Sequence, residues 1–201
     1  MIKVTPWILS TILFFTPFIS KGQDKGEFQS VAPQYGWQHQ LRIKTNLIPW
    51  IATIPNVGME YTISRKWSAE IDIWYCPWTI NSKYSVKTAS LLPEVRYWIK
   101  DNSKGSFFNL HLNIAWFNVR VNHYRYQDMG TPLLGAGIGY GYRFDINPKW
   151  GFEMEIGAGV SKAKYERYYN VNNGALKDSR TTTYFGVDRF SIAFSYNLCD
   201  L

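Results

Sequence analysis

Charged side chains recur two residues apart along this sequence. Arg42 stands with Lys44, Glu70 with Asp72, Glu94 with Arg96 and Glu153 with Glu155, while Glu60 and Arg143 stand singly in segments of the same kind. A spacing of two puts both members of a pair on one face of a β-strand. Six carboxylates and four cations facing a common interior would pair into a network that fills it. The same residues facing water would be an ordinary solvated surface, and His111 shares their face in either case.

Other chemistry is largely missing. The run Gly135-Ala136-Gly137-Ile138-Gly139-Tyr140-Gly141 looks like a dinucleotide loop, but the GxGxxG spacing breaks at Tyr140 and the segment lies in a strand pattern. Neither GxSxG nor HExxH occurs. His39, His111 and His123 lack ligand spacing, and the two cysteines make no cluster with them. No catalytic residue, cofactor or metal is expected. His123, in the stretch 120–128, is the one candidate for a lipid-modifying hydrolase or acyltransferase, and a role in surface or lipopolysaccharide contact suits it better.

The elements that position these residues alternate with period two from His39 onward. Leu41, Ile43, Thr45 and Leu47 oppose Arg42, Lys44 and Asn46. Val57, Met59, Tyr61 and Ile63 oppose Gly58, Glu60 and Thr62. The same division runs through 67–75, 91–99, 108–116, 134–144, 150–160 and 190–198, which makes eight strands. Short connections (64–66, 100–105, 145–149) alternate with long ones (about 48–55, 76–89, 118–132 and 161–188). The expected fold is all-β: an eight-stranded antiparallel up-and-down transmembrane β-barrel with short periplasmic turns and longer outer loops.

Composition agrees with one exported domain. Of 201 residues, 46% are hydrophobic and 17% aromatic, which excludes disorder, and the net charge is +7. Residues 1–22 read as a signal peptide, with Lys3 before the apolar run 7–15 and Ser20-Lys21-Gly22 at the cleavage point. Residues 23–38 read as an N-terminal periplasmic tail, and 39–201 as the barrel. The polar face is rich in glycine (Gly135, Gly137, Gly139, Gly141, Gly157, Gly159), which leaves room for long side chains in a narrow interior. Aromatics of the apolar face gather at the strand ends. Tyr61, Trp67, Tyr97, Phe108, Tyr142, Phe144, Trp150, Phe152 and Tyr196 lie at one end, and Trp50, Tyr75, Trp78 and Trp116 at the other. Two such girdles suit a membrane, and the apolar face is expected to meet lipid.

The segments 44–47, 55–61, 65–68, 74–78, 93–98, 137–142, 150–155 and 184–186 together resemble a family of small outer-membrane barrel proteins of unknown function from anaerobic Gram-negative bacteria of the gut and mouth. The resemblance implies a cell outer-membrane location and, for some members, genes beside fimbrial ones. It implies no activity and no functional residues. The partners expected are outer-membrane lipids and lipopolysaccharide, or fimbrial and other surface proteins, with no nucleic acid. Their binding candidates are the basic and aromatic residues of the last long connection: Lys162, Lys164, Tyr165, Arg167, Tyr168, Tyr169, Lys177 and Arg180. A lipid-modifying enzyme or a narrow pore is the alternative. Cys76 and Cys199, at opposite strand ends, are expected to be free thiols.

Overall fold

The computed structural model describes residues 39–100 and 103–200; the signal peptide and tail read from the sequence lie outside them. Alternation over short segments, with turn residues between them, yields β1 (Gln40–Asn46), β2 (Asn56–Ser64), β3 (Trp67–Thr79), β4 (Tyr84–Trp98), β5 (Gly105–Val121), β6 (Tyr124–Asp128), β7 (Leu133–Asp145), β8 (Trp150–Tyr169) and β9 (Leu176–Asp200). The chain is therefore all-β, in one antiparallel sheet of nine strands. After β1, a single short helix, α1 (Leu47–Ile51), is capped by Asn46, whose side chain accepts from Ile48 N at 3.0 Å.

The sheet is a nearly closed ring. Each strand from β1 to β5 pairs with the next, β7 pairs with β5 and β8, β8 with β9, and β9 returns to β1. The ninth strand corrects the expected count of eight. β6 and β7 are successive pieces facing the same neighbours: β6 pairs with the upper parts of β5 and β8, and β7 with their lower parts. Residues 129–132 break the run, because Gly130 has φ +73 and Pro132 carries no N–H for a ladder. Asp128 fills the break, accepting from Phe117 N at 2.9 Å and Gly130 N at 3.0 Å.

A second correction concerns the long connections. Most of 76–89, 118–132 and 161–188 is strand, so β8 runs 20 residues and β9 runs 25. What remains at that far end are tight links at 80–83, 122–123 and 170–175. Asn170 ties three of them together, donating to the carbonyls of Ser82 (3.0 Å) and Asn122 (2.9 Å). β1 and β2 are too short to reach that height. β9 meets β1 only through Ala193–Asp200, so its residues 176–192 present an edge above α1 that no strand of the described residues pairs.

The core is inverted. Arg42, Lys44, Glu60, Glu70, Glu94, Arg96, His111, Arg143, Glu153 and Glu155 are all at most 5% exposed, whereas Met59, Ile73, Leu110, Ile138, Ile156 and Phe190 are 48–69% exposed. Charge lies inside the ring and hydrocarbon outside, as the alternation required once the glycine-lined face was assigned inward.

Candidate functional site

Every ring strand sends a charged or amide side chain into the interior. At its centre lies Lys44 of β1, with Nζ 2.6 Å from Glu70, 2.5 Å from Glu153 and 3.8 Å from Glu60. Arg96 of β4 spans the same group: Nη1 lies 2.7 Å from Glu70 and 2.8 Å from Glu153, Nη2 lies 3.1 Å from Glu155, and Nε binds Glu94. Arg143 of β7 donates to Glu153 at 2.6 Å and to the Ser103 carbonyl at 3.0 Å, and it pairs with Glu60. Rings close the layer toward the chain termini, with Arg143 4.5 Å over Trp98 and Arg96 4.4 Å over Phe107.

The sequence reading missed two members of this interior. Arg189 of β9 donates to Glu155 at 2.6 Å and lies 3.3 Å from Asp72 and 2.7 Å from Glu94, the last pair close without hydrogen-bond alignment. Asp188 lies beside it, 3.1 Å from His111 Nε2, and accepts from Asn113 at 2.9 Å. Adjacent residues share a face here because the β8–β9 register slips: Gly157 pairs with Arg189 but Ala158 with Val187, so Asp188 is an extra residue in a bulge. Arg189 keeps the alternation of Ser191 and Ser195 and was legible on that ground; the bulge was not.

Ten of the eleven residues assigned to the interior network are joined in it, His111 through Asn109, which bonds it at 3.0 Å and donates to Glu155 at 2.8 Å. Arg42 is the exception. It is buried on the same face, but its guanidinium donates to Gln40 at 3.0 Å and forms no ion pair among the described residues. Carboxylate oxygens of Glu60, Glu70 and Glu153 gather within 4.8 Å of one another, a spacing that could hold a metal ion, yet Lys44 Nζ already supplies a cation there. The glycines of β7 make room as expected, though for their strand neighbour: a Cβ on Gly137 would meet His111 Nε2 at 2.5 Å, and one on Gly139 would meet Asn109 at 2.8 Å.

At the far end the eight binding candidates all lie on strands, β8 or β9, and divide by face. Lys162, Lys164 and Tyr168 of β8 point outward. They are joined there by Arg120 and Arg125, which pair across β5–β6 and were not among the candidates. Arg125 lies 4.7 Å over the Tyr168 ring, and its Nε is buried without a partner. The Tyr168 hydroxyl donates to Glu166, which raises its pKa. Tyr165, Arg167, Tyr169 and Arg180 belong to the inward face. Arg167 binds Asp178 through two nitrogens, one at 2.9 Å, and these bonds hold that carboxyl below its ordinary range. Arg180 shares the same oxygen at 3.1 Å. Lys177 donates to Tyr124 at 2.5 Å and depresses that phenol. His123 stands exposed in the β5–β6 link and accepts through its carbonyl from Asn170 N at 2.9 Å.

A family model described as a protein of unknown function (DUF3575) matches residues 13–198. No curated protein and no solved structure matches the chain.

Proposed function

The chain belongs to the DUF3575 family, and from that premise we propose an outer-membrane β-barrel with a plugged polar interior, whose basic and aromatic far end contacts the phosphates of lipopolysaccharide. One observation carries the reading: the exposed face is apolar all round the ring while the charges are inside. So large a continuous apolar surface is a liability in water and a fit in lipid. Its edges bear aromatics. Trp67 packs on Tyr97 at 5.1 Å and Trp150 on Tyr196 at 4.9 Å near the termini, and Tyr75 and Trp116 stand exposed toward the far end. The eight steps from Trp67 to Tyr75 climb roughly 20 Å at the rise and tilt of such strands, near the thickness of an outer-membrane hydrocarbon layer.

At the band's upper edge β8 carries Lys162, opposite Leu134, and then Lys164 outward, and further on Arg125 and Arg120 lie level with Tyr168. Outward cations just beyond the hydrocarbon would meet the phosphates of the outer leaflet. The role is adhesive and architectural. A pore is disfavoured, because eight ring positions leave an interior that side chains fill, and this one is crossed by ion pairs at the level of Lys44 and Arg96.

The test is binding of the protein, held in phosphatidylcholine nanodiscs, to immobilised lipopolysaccharide. Wild type should bind, more weakly as salt rises, and the triple variant Arg125→Glu, Lys162→Glu, Lys164→Glu should lose roughly tenfold or more in affinity. Equal affinities, or no binding by the wild type, would sink the glycolipid reading and favour a protein partner.

A further inference from the structure

Beyond the Asp188 layer the interior changes character. The inward residues become Phe117 and Val119 on β5, Tyr126 on β6, Leu133 on β7, Tyr165 on β8 and Tyr184 on β9, around a cavity of about 350 Å³. Their face follows from position: Phe117 lies six residues beyond His111 and Tyr165 ten beyond Glu155, both even steps along a strand. Below the cavity along the same face, Asn113 and His111 are bonded to Asp188. The walls are mostly hydrocarbon and ring, with the hydroxyls of Ser161 and Thr182 among them, and Ala163 faces the space with only a methyl group.

Two features indicate what would occupy it. The first is access. The ring is incomplete at this height, since residues 176–192 of β9 have no strand on their second side among the described residues, so a slot beside the cavity opens sideways above α1. The second is charge. Arg180 pairs with Tyr165 across β8–β9, its side chain is 53% exposed, and it shares the single carboxylate of Asp178 with Arg167. A half-exposed guanidinium therefore stands beside Tyr165, one inward step beyond the lining residue Thr182.

We infer that this cavity binds an acyl chain with an anionic head, the chain among Phe117, Val119, Tyr126 and Tyr165 and the head at Arg180. Its volume lies within the range of about 300–1,000 Å³ usual for small-molecule sites, and an apolar body with one charged end matches an apolar cup with one charged rim. The site is separate from the outward cations proposed to meet lipopolysaccharide, and it needs only the observed face assignment. A free long-chain carboxylate and one acyl chain of a phosphorylated glycolipid offer the same chemistry.

Photolabelling separates this site from bulk lipid. The full chain, in phosphatidylcholine nanodiscs, is irradiated with a diazirine-bearing palmitate, and the crosslinked residues are mapped by mass spectrometry. Any bilayer-exposed face will label at outward positions such as Leu134 and Val160. The inference expects labels at Phe117 and Tyr165 as well, at least tenfold reduced by Ala163→Trp or by Val119→Trp with outward labelling unchanged, and reduced by Arg180→Glu. Loss of the inward labels on adding lipid A assigns the chain to a glycolipid, and persistence assigns it to a free carboxylate. Labels confined to outward positions, or inward labels indifferent to both tryptophans, overturn the site, whether or not lipopolysaccharide binds outside.

Discussion

Arg96 shows at the level of one residue what the interior demands. Its guanidinium is nearly inaccessible and stands against Glu70, Glu94, Glu153 and Glu155. Removing it leaves carboxylates buried without their cation, so Arg96→Ala should cost about 3–5 kcal/mol, and outward Ile156→Ala clearly less. Denaturant titration of folded, gel-shifted protein in vesicles measures both, and equal costs would reverse the faces. Asp178 gives a pH dependence. Because its carboxyl titrates lower when bound to Arg167 than in the unfolded chain, the pairing contributes fully above the ordinary carboxylate range and is lost only as pH falls through the lowered value. The Asp178 carboxyl carbon shift in labelled protein should therefore titrate below the free-residue value, and Arg167→Gln should bring it back. The thiols are a third case. Cys76 and Cys199 are both free, as their positions at opposite strand ends suggested. Cys76 is only 2% exposed, with Sγ 3.2 Å from the Val86 carbonyl, so maleimide should leave it untouched until the chain unfolds.

At the scale of the element, the strands were legible wherever one face was charged and glycine-rich and the other apolar. The phase read from Glu70 and Asp72, or from Glu153 and Glu155, is the phase observed. It was hidden where both faces are mixed. Residues 161–188 carry tyrosine, lysine and threonine on both sides, so the long β8–β9 ribbon looked like a loop, and Gly130 and Pro132 made β6 look like part of one. A bulge leaves no period at all, which is why Asp188 escaped. That bulge makes a deletion experiment decisive. Removing Asp188 restores plain alternation and keeps Tyr184 inward, so the fold should survive at a cost of about 1–3 kcal/mol for the acceptor lost by His111 and Asn113. Removing Ser191 instead reverses the faces of everything from 176 to 190 relative to β1, and folded protein should not be recovered. Gel mobility of refolded samples distinguishes the two.

For the whole molecule, the proposed membrane setting predicts asymmetry between inside and outside. Ile71 is 39% exposed on the apolar band, and Ile71→Arg there should cost about 2–4 kcal/mol, whereas Asn172→Arg in the far-end link should cost nothing measurable. Vesicle unfolding titrations check this, and an unaffected Ile71→Arg would argue that the band meets water. Reconstituted into planar bilayers, the protein should show no steady channels of appreciable size. The family match gives membership without an activity, so the binding site rests on geometry: the sorting of Lys162 and Lys164 to one face of β8 and of Tyr165 and Arg167 to the other.

The interior network also constrains the route by which the chain reaches its final state. Arg143–Glu153 and Arg189–Glu155 close within the β7–β8 and β8–β9 hairpins, but Lys44 of β1 pairs with Glu70 of β3 and Glu153 of β8, and Arg189 of β9 also lies against Asp72 of β3 and Glu94 of β4, so part of the pairing joins strands far apart in the chain. β3 and β4, paired alone, would carry Glu70, Asp72 and Glu94 against the single guanidinium of Arg96. Such a hairpin cannot enter hydrocarbon by itself without dragging unbalanced charge with it. In the proposed membrane setting, that hairpin is therefore not expected to insert ahead of the rest of the ring. Its counter-charges are Lys44 and Arg189, which come with β1 and β9, so in that setting a chain lacking its final strand is expected to stall at the bilayer surface rather than insert in part.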